Sequence, residues 1–199
     1  MKGLLFSGGL DSACAWPVLG RPQAVYCGGS FGPARHANLG EMDAIHKMLE
    51  ISPEFRQALH IIEYDFRPFM RDSGDYHFPR ELICCALAWA RGFDHLMVAF
   101  VKDDGMSAGW ARAQEANFGR TIGMKNFRVS FPVAHMTKRE LVEAALDNGA
   151  SREFIEASYS CLAASKACGK CKSCRQRVEA LTVLNRSRAR PLRRRKQPA

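Results

Sequence analysis

The sequence lacks any run of about 18 apolar residues, which is the length that a membrane-spanning helix needs. Its first apolar stretch, Met1 to Phe6, is interrupted by Ser7-Gly8-Gly9 before the core of a signal peptide can form. We therefore expect a cytoplasmic protein with no membrane contact. With 199 residues, 47% of them hydrophobic, the chain is long enough for one well-buried core and too short for two ordinary domains.

Acidic residues are missing after Glu179, and this gap explains the formal charge of +9. Seven of the 29 basic residues follow Glu179, which leaves 22 basic against 20 acidic residues, or +2, for the rest of the chain. Residues 186–199 have no apolar periodicity and are predicted to be a disordered tail. Such a tail is either simply solvated or makes weak contacts with nucleic acid, although no aromatic residue is interleaved with its charges.

Short apolar runs alternate with helical patterns along the chain, as in a parallel sheet covered by helices on both faces. We expect an α/β, Rossmann-like, doubly wound, five-stranded parallel sheet that binds its ligands at the carboxyl ends of the strands. The predicted strands are residues 3–6, 23–27, 60–64, 95–101 and 127–130, and the predicted helices are residues 11–19, 36–49, 79–91, 109–123 and 137–148.

The segment Ser7-Gly8-Gly9-Leu10-Asp11-Ser12 follows the first predicted strand and opens the first helix. Paired glycines let a backbone approach an oligophosphate, and helix amides with their dipole favour an anion. Ser7 and Ser12 add hydroxyl donors, and Asp11 either braces the turn or approaches the metal that accompanies ATP. The segment lacks the lysine of a loop built for γ-phosphate transfer. The alternative is an ordinary glycine-rich turn with a polar helix cap.

The same segment resembles the S-G-G-x-D-S pyrophosphate loop of the ATP pyrophosphatase superfamily, whose members cleave ATP between the α- and β-phosphates. Residues Pro132 to Glu140 resemble a second part of the superfamily pattern. Within them, Thr137 can cap a helix that begins with Lys138. A lysine is unfavourable at a helix start unless it faces an anion such as phosphate. Taken alone, Thr137 and Glu140 indicate only an ordinary capping box.

Cys161, Cys168, Cys171 and Cys174 form a short, glycine-containing cluster at metal-ligand spacing. Four thiolates close the coordination sphere of Zn²⁺, which predicts a structural site within residues 158–178. We expect this site to form a small C-terminal zinc-binding helical segment of a single domain that spans residues 1–185. An iron-sulfur cluster is the alternative, although Cys-Pro does not follow at the ferredoxin spacing, and a redox thiol pair is a third reading. The other four cysteines, Cys14, Cys27, Cys84 and Cys85, lie in apolar stretches and are predicted to be buried.

Taken together, these motifs resemble the 7-cyano-7-deazaguanine synthases of queuosine and deazapurine biosynthesis. The resemblance covers most of residues 3 to 181. Its most specific part is Tyr159-Ser160-Cys161 followed by Cys168-Gly169-x-Cys171-x2-Cys174-Arg175-x-Arg177. Also similar are Gly32 with His36, Pro79 with Arg80, and Pro132 with Thr137-Lys138.

The resemblance implies an ATP-dependent carbon-nitrogen ligase that converts 7-carboxy-7-deazaguanine to its nitrile with ammonia, ATP and Mg²⁺, in queuosine biosynthesis or DNA modification, often as a homodimer. Residues 7–12 would then bind ATP. Ser7, Asp11, Ser12, Lys138 and Arg80 are the predicted catalytic residues, which would stabilise the charge that develops on the phosphates.

The chain departs from the family around the expected substrate pocket. It has Phe31-Gly32-Pro33-Ala34-Arg35-His36 where Y-G-Q-R-H is usual, and Glu81 where asparagine is usual. The D-x-x-G-Y-P-D-C segment is represented only by residues 103–110. Asp103 or Asp104 can accept hydrogen bonds from a guanine-like ring, and Trp110 or Phe100 can stack on it. His36, in the segment that begins at Phe31, is a further candidate for this pocket. The alternative is a loop of solvated acids with a packed tryptophan.

Two other functions compete with this interpretation. A PP-loop tRNA-modifying sulfurtransferase, or another adenylating enzyme, would use the same loop and the basic tail, but would need a reactive cysteine outside the cluster. A non-catalytic zinc-knuckle module that binds nucleic acid would not need Asp11 at all.

Overall fold

The computed structural model describes the backbone of residues 1–28, 35–63, 77–105, 126–161 and 166–187, with the side chains of 35–39, 77–83 and 186–187 outside that description. The strands are β1 (Lys2–Leu5), β2 (Gln23–Gly28), β3 (Leu59–Glu63), β4 (His95–Val98) and β5 (Arg128–Ser130). The helices are α1 (Leu10–Val18), α2 (Arg35–Ile51), α3 (Pro53–Ala58), α4 (His77–Ala90), α5 (Lys138–Asp147), α6 (Arg152–Glu156) and α7 (Lys172–Ser187), with a 3-10 turn at Lys102–Asp104.

All five strands join one parallel sheet in the order β3-β2-β1-β4-β5. The inner strands are almost continuously apolar, as expected of a sheet that is covered on both faces. After β1 the chain adds strands on one side, and after β3 it crosses to the other. The order therefore reverses between β1 and β4, and this reversal is where such sheets bind ligands.

Two apolar clusters cover the two faces of the sheet. One packs Leu4 of β1 and Phe6, which follows the strand, against α1, α5, α6 and α7. The other packs Val25 and Cys27 of β2 against α4. Successive residues of each strand point to opposite faces of the sheet, as the two-residue period of a β-strand requires. The doubly wound arrangement follows from this division.

An aromatic group fixes α1 on the sheet. The ring of Phe55 lies 4.6 Å from that of Phe6 and 5.0 Å from that of Trp16, and Phe154 closes the group at 5.3 Å from Phe55. The Trp16 indole donates a hydrogen bond to the Pro22 carbonyl at 2.8 Å, so its polar edge is satisfied. The helix that opens beside the first loop is thus held rigidly at its far end.

The α/β class and the parallel five-stranded sheet are confirmed. Every predicted strand is present, although β4 ends at Val98 because the chain turns into the 3-10 segment. Four of the five predicted helices are found within two residues of the expected start. The fifth, residues 109–123, lies outside the described residues.

The three helices that had not been predicted with bounds are α3, α6 and α7. The first two have five or six residues and start at serine caps, Ser52 and Ser151. Helix α7 begins inside the cysteine cluster and continues to Ser187. The single domain over 1–185 and the disordered tail remain predictions, since residues 188–199 are not described. Among the described helices, none has the length and apolar character to cross a membrane.

Candidate functional site

The candidate site lies where the strand order reverses, at the carboxyl ends of β1 and β4. Residues Ser7–Ser12, which we call the phosphate loop, leave β1 and enter α1. Residues Ala99–Gly105 leave β4 through the 3-10 turn. Lys138, the first residue of α5, lies between these two segments and contacts both. The topology therefore gathers residues that are far apart in sequence.

The hydroxyls of Ser7 and Ser12 brace the phosphate loop internally. Ser12 Oγ donates to the Gly9 carbonyl at 3.1 Å and accepts from the Ser7 amide at 3.2 Å. Ser7 Oγ accepts from the Gly9 amide at 3.2 Å and lies 3.3 Å from Ser12 Oγ. Ser12 is only 3% exposed. In this state its one hydroxyl hydrogen is used within the loop, so the loop arrives preformed.

Gly8 has a φ of +75°, a conformation that side chains rarely adopt. A Cβ at that position would also lie 2.8 Å from the Glu41 carbonyl oxygen of α2. Gly9 is the N-cap of α1 and offers no side chain to the first-turn amides. Those amides and the positive end of the helix dipole suit a bound anion.

Lys138 connects the phosphate loop to the segment after β4. Its ammonium lies 2.6 Å from Asp11 Oδ2 and 2.9 Å from Asp104 Oδ1. Its backbone amide donates to Asp103 Oδ2 at 2.6 Å. Asp104 Oδ2 in turn accepts from the Val101 amide at 3.3 Å. Three carboxylates thus hold Lys138, one at its backbone amide and two at its ammonium.

The charges of this network perturb one another. Burial raises the pKa of Asp11 to about 6, despite the opposing effect of the Lys138 ammonium. Burial alone would lower the pKa of Lys138, but the carboxylates of Asp11 and Asp104 outweigh it and raise the pKa. Asp11 Oδ1 is buried with no hydrogen-bond partner in the described part of the chain. That oxygen is a strong acceptor held ready for a proton donor or a cation.

Helix α5 begins with the capping box that its sequence indicated. Thr137 Oγ1 accepts from the Glu140 amide at 3.2 Å, and the Thr137 amide donates to Glu140 Oε2 at 2.8 Å. These bonds satisfy two amides that a helix start would otherwise leave unpaired. The cap therefore fixes the position of Lys138.

The four thiols of Cys161, Cys168, Cys171 and Cys174 converge, with their sulfur atoms within 4.8 Å of one another. The Cys168 and Cys174 sulfurs are 3.9 Å apart, close to the ~3.8 Å edge of a tetrahedron with Zn–S bonds of about 2.3 Å. Amides of Cys171 and Cys174 donate to the sulfurs of Cys168 and Cys171 at 3.4 Å. A cubane cluster would hold each thiolate on a separate iron and so further apart, so the geometry favours one ion such as zinc.

The remaining cysteines are buried. Cys14 and Cys85 are fully enclosed, and Cys27 and Cys84 are at most 3% exposed. Burial, followed by the charge of Asp11, raises the pKa of Cys14 well above its ordinary value. The setting disfavours a thiolate and hence a nucleophile.

The structure brings together part of the predicted site. Ser7, Gly8, Gly9, Asp11, Ser12, Lys138, Asp103 and Asp104 share one region. The Leu10 side chain lies in the core, so only its backbone can face a ligand. Phe100 stacks on Phe131 with ring centroids 5.7 Å apart. Trp110 and the side chains of His36 and Arg80 lie outside the described residues.

Two residues near the site had not been assigned a role. Gln176 of α7 donates to the Asp103 carbonyl at 3.3 Å. The Tyr159 amide donates to the Gly8 carbonyl at 2.8 Å. Tyr159 stands next to the Ser-Cys pair of the metal motif, and this adjacency was the only sequence signal for it. A backbone hydrogen bond leaves no trace in residue type.

The chain is a PP-loop α/β protein with a four-cysteine site that suits zinc. Three features define this class: a parallel sheet whose strand order reverses, a glycine-rich loop at a helix N-terminus, and the four-thiol cluster. A family model described as queuosine biosynthesis protein QueC matches residues 83–185, just over half of the chain. The chain belongs to this family. The match includes Asp103, Asp104, Lys138 and the four cysteines, whereas the phosphate loop precedes it.

Two curated proteins named 7-cyano-7-deazaguanine synthase are similar to the chain. The protein from Campylobacter hominis is 32% identical over 107 residues, which are 49% of this chain and 46% of that protein. The protein from Pseudomonas putida is 32% identical over 66 residues, 32% of this chain and 30% of that protein. The chain thus matches less than half the length of either relative.

Proposed function

We propose that this protein is an ATP-dependent carbon-nitrogen ligase that converts 7-carboxy-7-deazaguanine to 7-cyano-7-deazaguanine, using ammonia and an adenylated intermediate. The family and the names of the two relatives support this substrate class. The observation that carries the proposal is Lys138 Nζ at 2.6 Å from Asp11, at the mouth of a preformed anion-binding loop. A lysine in that place can bind a polyphosphate as well as the carboxylates.

The arrangement suits cleavage between the α- and β-phosphates. The amides at the start of α1 and the Gly8-Gly9 backbone would hold the pyrophosphate, and Lys138 would neutralise the charge that grows on it. Because Lys138 is already held by Asp11 and Asp104, the polyphosphate competes with these carboxylates for one ammonium. Arg80, at the amino end of α4, is proposed as a second cation.

Two metal ions fit residues of the site. Asp11 Oδ1, a buried oxygen without a described partner, suits Mg²⁺, which prefers carboxylates and would neutralise the phosphates of ATP. The four thiols suit a structural Zn²⁺ with no open position for catalysis. This chain's own residues then position the reactants around the phosphate loop.

The proposed reaction passes through two adenylations. A carboxylate oxygen of the substrate attacks the α-phosphorus of ATP and expels pyrophosphate. Ammonia displaces AMP from the acyl adenylate and, after losing a proton, gives the amide. The amide oxygen then attacks the α-phosphorus of a second ATP and expels pyrophosphate, and loss of AMP with two protons leaves the nitrile. No described side chain is assigned as general base, so positioning and electrostatics carry the catalysis.

The ring of the substrate is proposed to lie beside the segment after β4. Asp103 is favoured over Asp104 as the acceptor for ring N–H groups, because both Asp104 oxygens already accept hydrogen bonds. Asp103 is engaged through Oδ2 by the Lys138 amide. Trp110, Phe100 and His36 are proposed to complete this pocket.

A homodimer in the cytoplasm, with the basic tail making at most weak nucleic-acid contacts, completes the proposal. The sulfurtransferase alternative is disfavoured because Cys14, Cys27, Cys84 and Cys85 are enclosed. A non-catalytic nucleic-acid module would not require the Lys138 network.

The test incubates the purified protein with 7-carboxy-7-deazaguanine, ATP, Mg²⁺ and ammonium, followed by mass spectrometry of nucleotides and deazapurines. We expect AMP, pyrophosphate and the amide or nitrile, with turnover lost in D11N and K138M and retained in R21A, which is remote from the site. ADP as the only nucleotide product would overturn the adenylation. AMP without a deazapurine product would overturn the substrate, and equal product from D11N would overturn the site.

A further inference from the structure

The segment Ser158–Cys161 lies between the phosphate loop and the four-thiol cluster. Its Tyr159 amide donates to the Gly8 carbonyl at 2.8 Å. Two residues later Cys161, which is 1% exposed, joins the cluster. Residues 158–161 therefore contact the phosphate loop at one end and supply a cluster thiol at the other. We call them the bridging segment.

The bridging segment restricts the phosphate loop from one side. A Cβ on Gly9 would lie 3.4 Å from the Tyr159 carbonyl oxygen. On the other side, a Cβ on Gly8 would lie 2.8 Å from the Glu41 carbonyl oxygen of α2. The loop thus lies between Tyr159 and α2, with the Gly8 carbonyl bonded to the Tyr159 amide and no room for a side chain on Gly8 beside Glu41.

The ring of Tyr159 also sets the position of α2. A Cβ on Gly40 would lie 2.4 Å from Tyr159 Cζ, closer than real contacts allow. Gly40 precedes Glu41, whose carbonyl limits Gly8. The three Tyr159 atoms nearest to that position are all ring carbons, so the ring makes this contact.

Helix α7 holds the bridging segment from the side of the cluster. Arg177 donates to the Glu156 carbonyl at 2.7 Å and to Ser158 Oγ at 3.4 Å. The same helix carries Cys174, and Cys161 lies on the bridging segment itself. An ion bound to both thiols would therefore clamp the segment to α7.

We propose that Tyr159 is a positioning residue for the phosphate loop, through which a metal-filled thiol cluster sets the geometry of that loop. The proposal rests on the proposed function only where it treats the loop as the ATP site. Loss of the metal releases Cys161 from Cys174, frees the bridging segment and lets Gly8 drift from the position that α1 and Lys138 require. Metal removal then weakens nucleotide binding at a site that the metal does not touch.

The first test needs no nucleotide. Hydrogen-deuterium exchange is compared between protein containing zinc and protein treated with a chelator, with circular dichroism confirming that the sheet remains folded. We expect at least several-fold faster exchange in peptides that cover Ser7–Ser12, and unchanged exchange in peptides of β4. Unchanged exchange of the loop peptides after metal loss would overturn the proposal. If chelation unfolds the chain, the same comparison is made with the zinc-containing Y159L variant.

The second test uses the contact between Gly40 and Tyr159. G40A should weaken ATP binding, measured calorimetrically, by about tenfold while zinc content stays at the wild-type level. In a Y159L background G40A should add less than a twofold loss, because the clashing ring is gone; Y159F should bind like wild type, as should K47A on the exposed side of α2. Additive effects of G40A and Y159L would overturn the proposal. Wild-type protein that binds no ATP would refute the proposed function, while the loop-exchange result would still decide this inference.

Discussion

Asp103 and Asp104 bind opposite ends of the same residue, since Asp103 accepts from the backbone amide of Lys138 and Asp104 accepts from its ammonium. One carboxylate therefore fixes where α5 begins, and its neighbour fixes where the side chain points. Asp11 also accepts a hydrogen bond from the same ammonium. The result is a cation that is placed before any ligand arrives, which reduces the ordering cost of binding an anion there.

Replacing Lys138 should separate stability from binding. K138M leaves the carboxylates of Asp11 and Asp104 facing each other without a counter-charge, and their side chains are only 25% and 31% exposed. We expect the free energy of unfolding to fall by about 1–3 kcal/mol, because partly buried unpaired charges are costly. Urea denaturation measures this loss. ATP affinity should fall at least tenfold in the same variant.

The triple variant K138M/D11N/D104N is the matched control. Removing both carboxylates relieves the repulsion, so stability should return to near that of wild type while ATP binding stays lost. A triple variant as unstable as K138M would contradict the electrostatic explanation, and restored ATP binding would show that the lysine does not hold phosphate.

Much of this network could be predicted from sequence because its parts stand at recognisable junctions. Ser7 to Ser12 follow a buried strand and open a helix, and Thr137 to Glu140 form a capping box. The meeting of Lys138 with Asp11 could not be derived from pattern, since 127 residues separate them and only the reversal of strand order joins their loops. Asp103 and Asp104 were expected to face substrate, whereas in this state they hold Lys138.

The pKa of Asp11 predicts an inverse dependence of stability on pH. A carboxyl whose pKa is raised from 3.8 to about 6 in the folded state binds its proton more tightly when folded. Its contribution is therefore favourable at low pH and is lost as the pH rises from about 4 to about 6. The measurement is the difference in unfolding free energy between wild type and D11N, by urea denaturation without nucleotide, from pH 4 to pH 7.

We expect this difference to shift against wild type by on the order of 1–3 kcal/mol between pH 4 and pH 7. Subtracting D11N removes the titration of other groups that both proteins share. D104N, which removes a like charge near Asp11, should lower the pKa of Asp11 and so move the transition to lower pH. A difference that rises with pH would mean that Lys138, rather than burial, dominates the ionisation of Asp11.

Removing one thiol of the cluster should release the metal. C171S is expected to lose most of the bound zinc, measured by inductively coupled plasma mass spectrometry, whereas wild type should hold about one ion per chain. C84A, at a buried cysteine outside the cluster, should keep its zinc. Iron with labile sulfide in the wild-type protein would instead support the cluster alternative.

The four thiols were predictable because a metal needs particular residue types at short spacing. The role of Tyr159 was not, because its contact with the phosphate loop is made by the backbone and its contact with α2 depends on an absent side chain at Gly40. The bounds of α7 were missed for a related reason. The first turn of α7 contains part of the cysteine motif. Because the cysteines there are spaced to bind a metal, the apolar periodicity that marks a helix is missing from that turn.

The cap of α5 should matter for both stability and binding. T137A removes the hydroxyl that accepts from the Glu140 amide, and loss of such a cap costs about 1 kcal/mol. Because Lys138 is the first residue of the helix, fraying there also loosens the ammonium, so ATP affinity should fall by a few-fold. T137S retains the acceptor and should behave like wild type in both urea denaturation and calorimetry. If T137A lowers stability by this amount but leaves ATP affinity unchanged, then Asp103 alone suffices to hold the start of α5, and the cap is structural only.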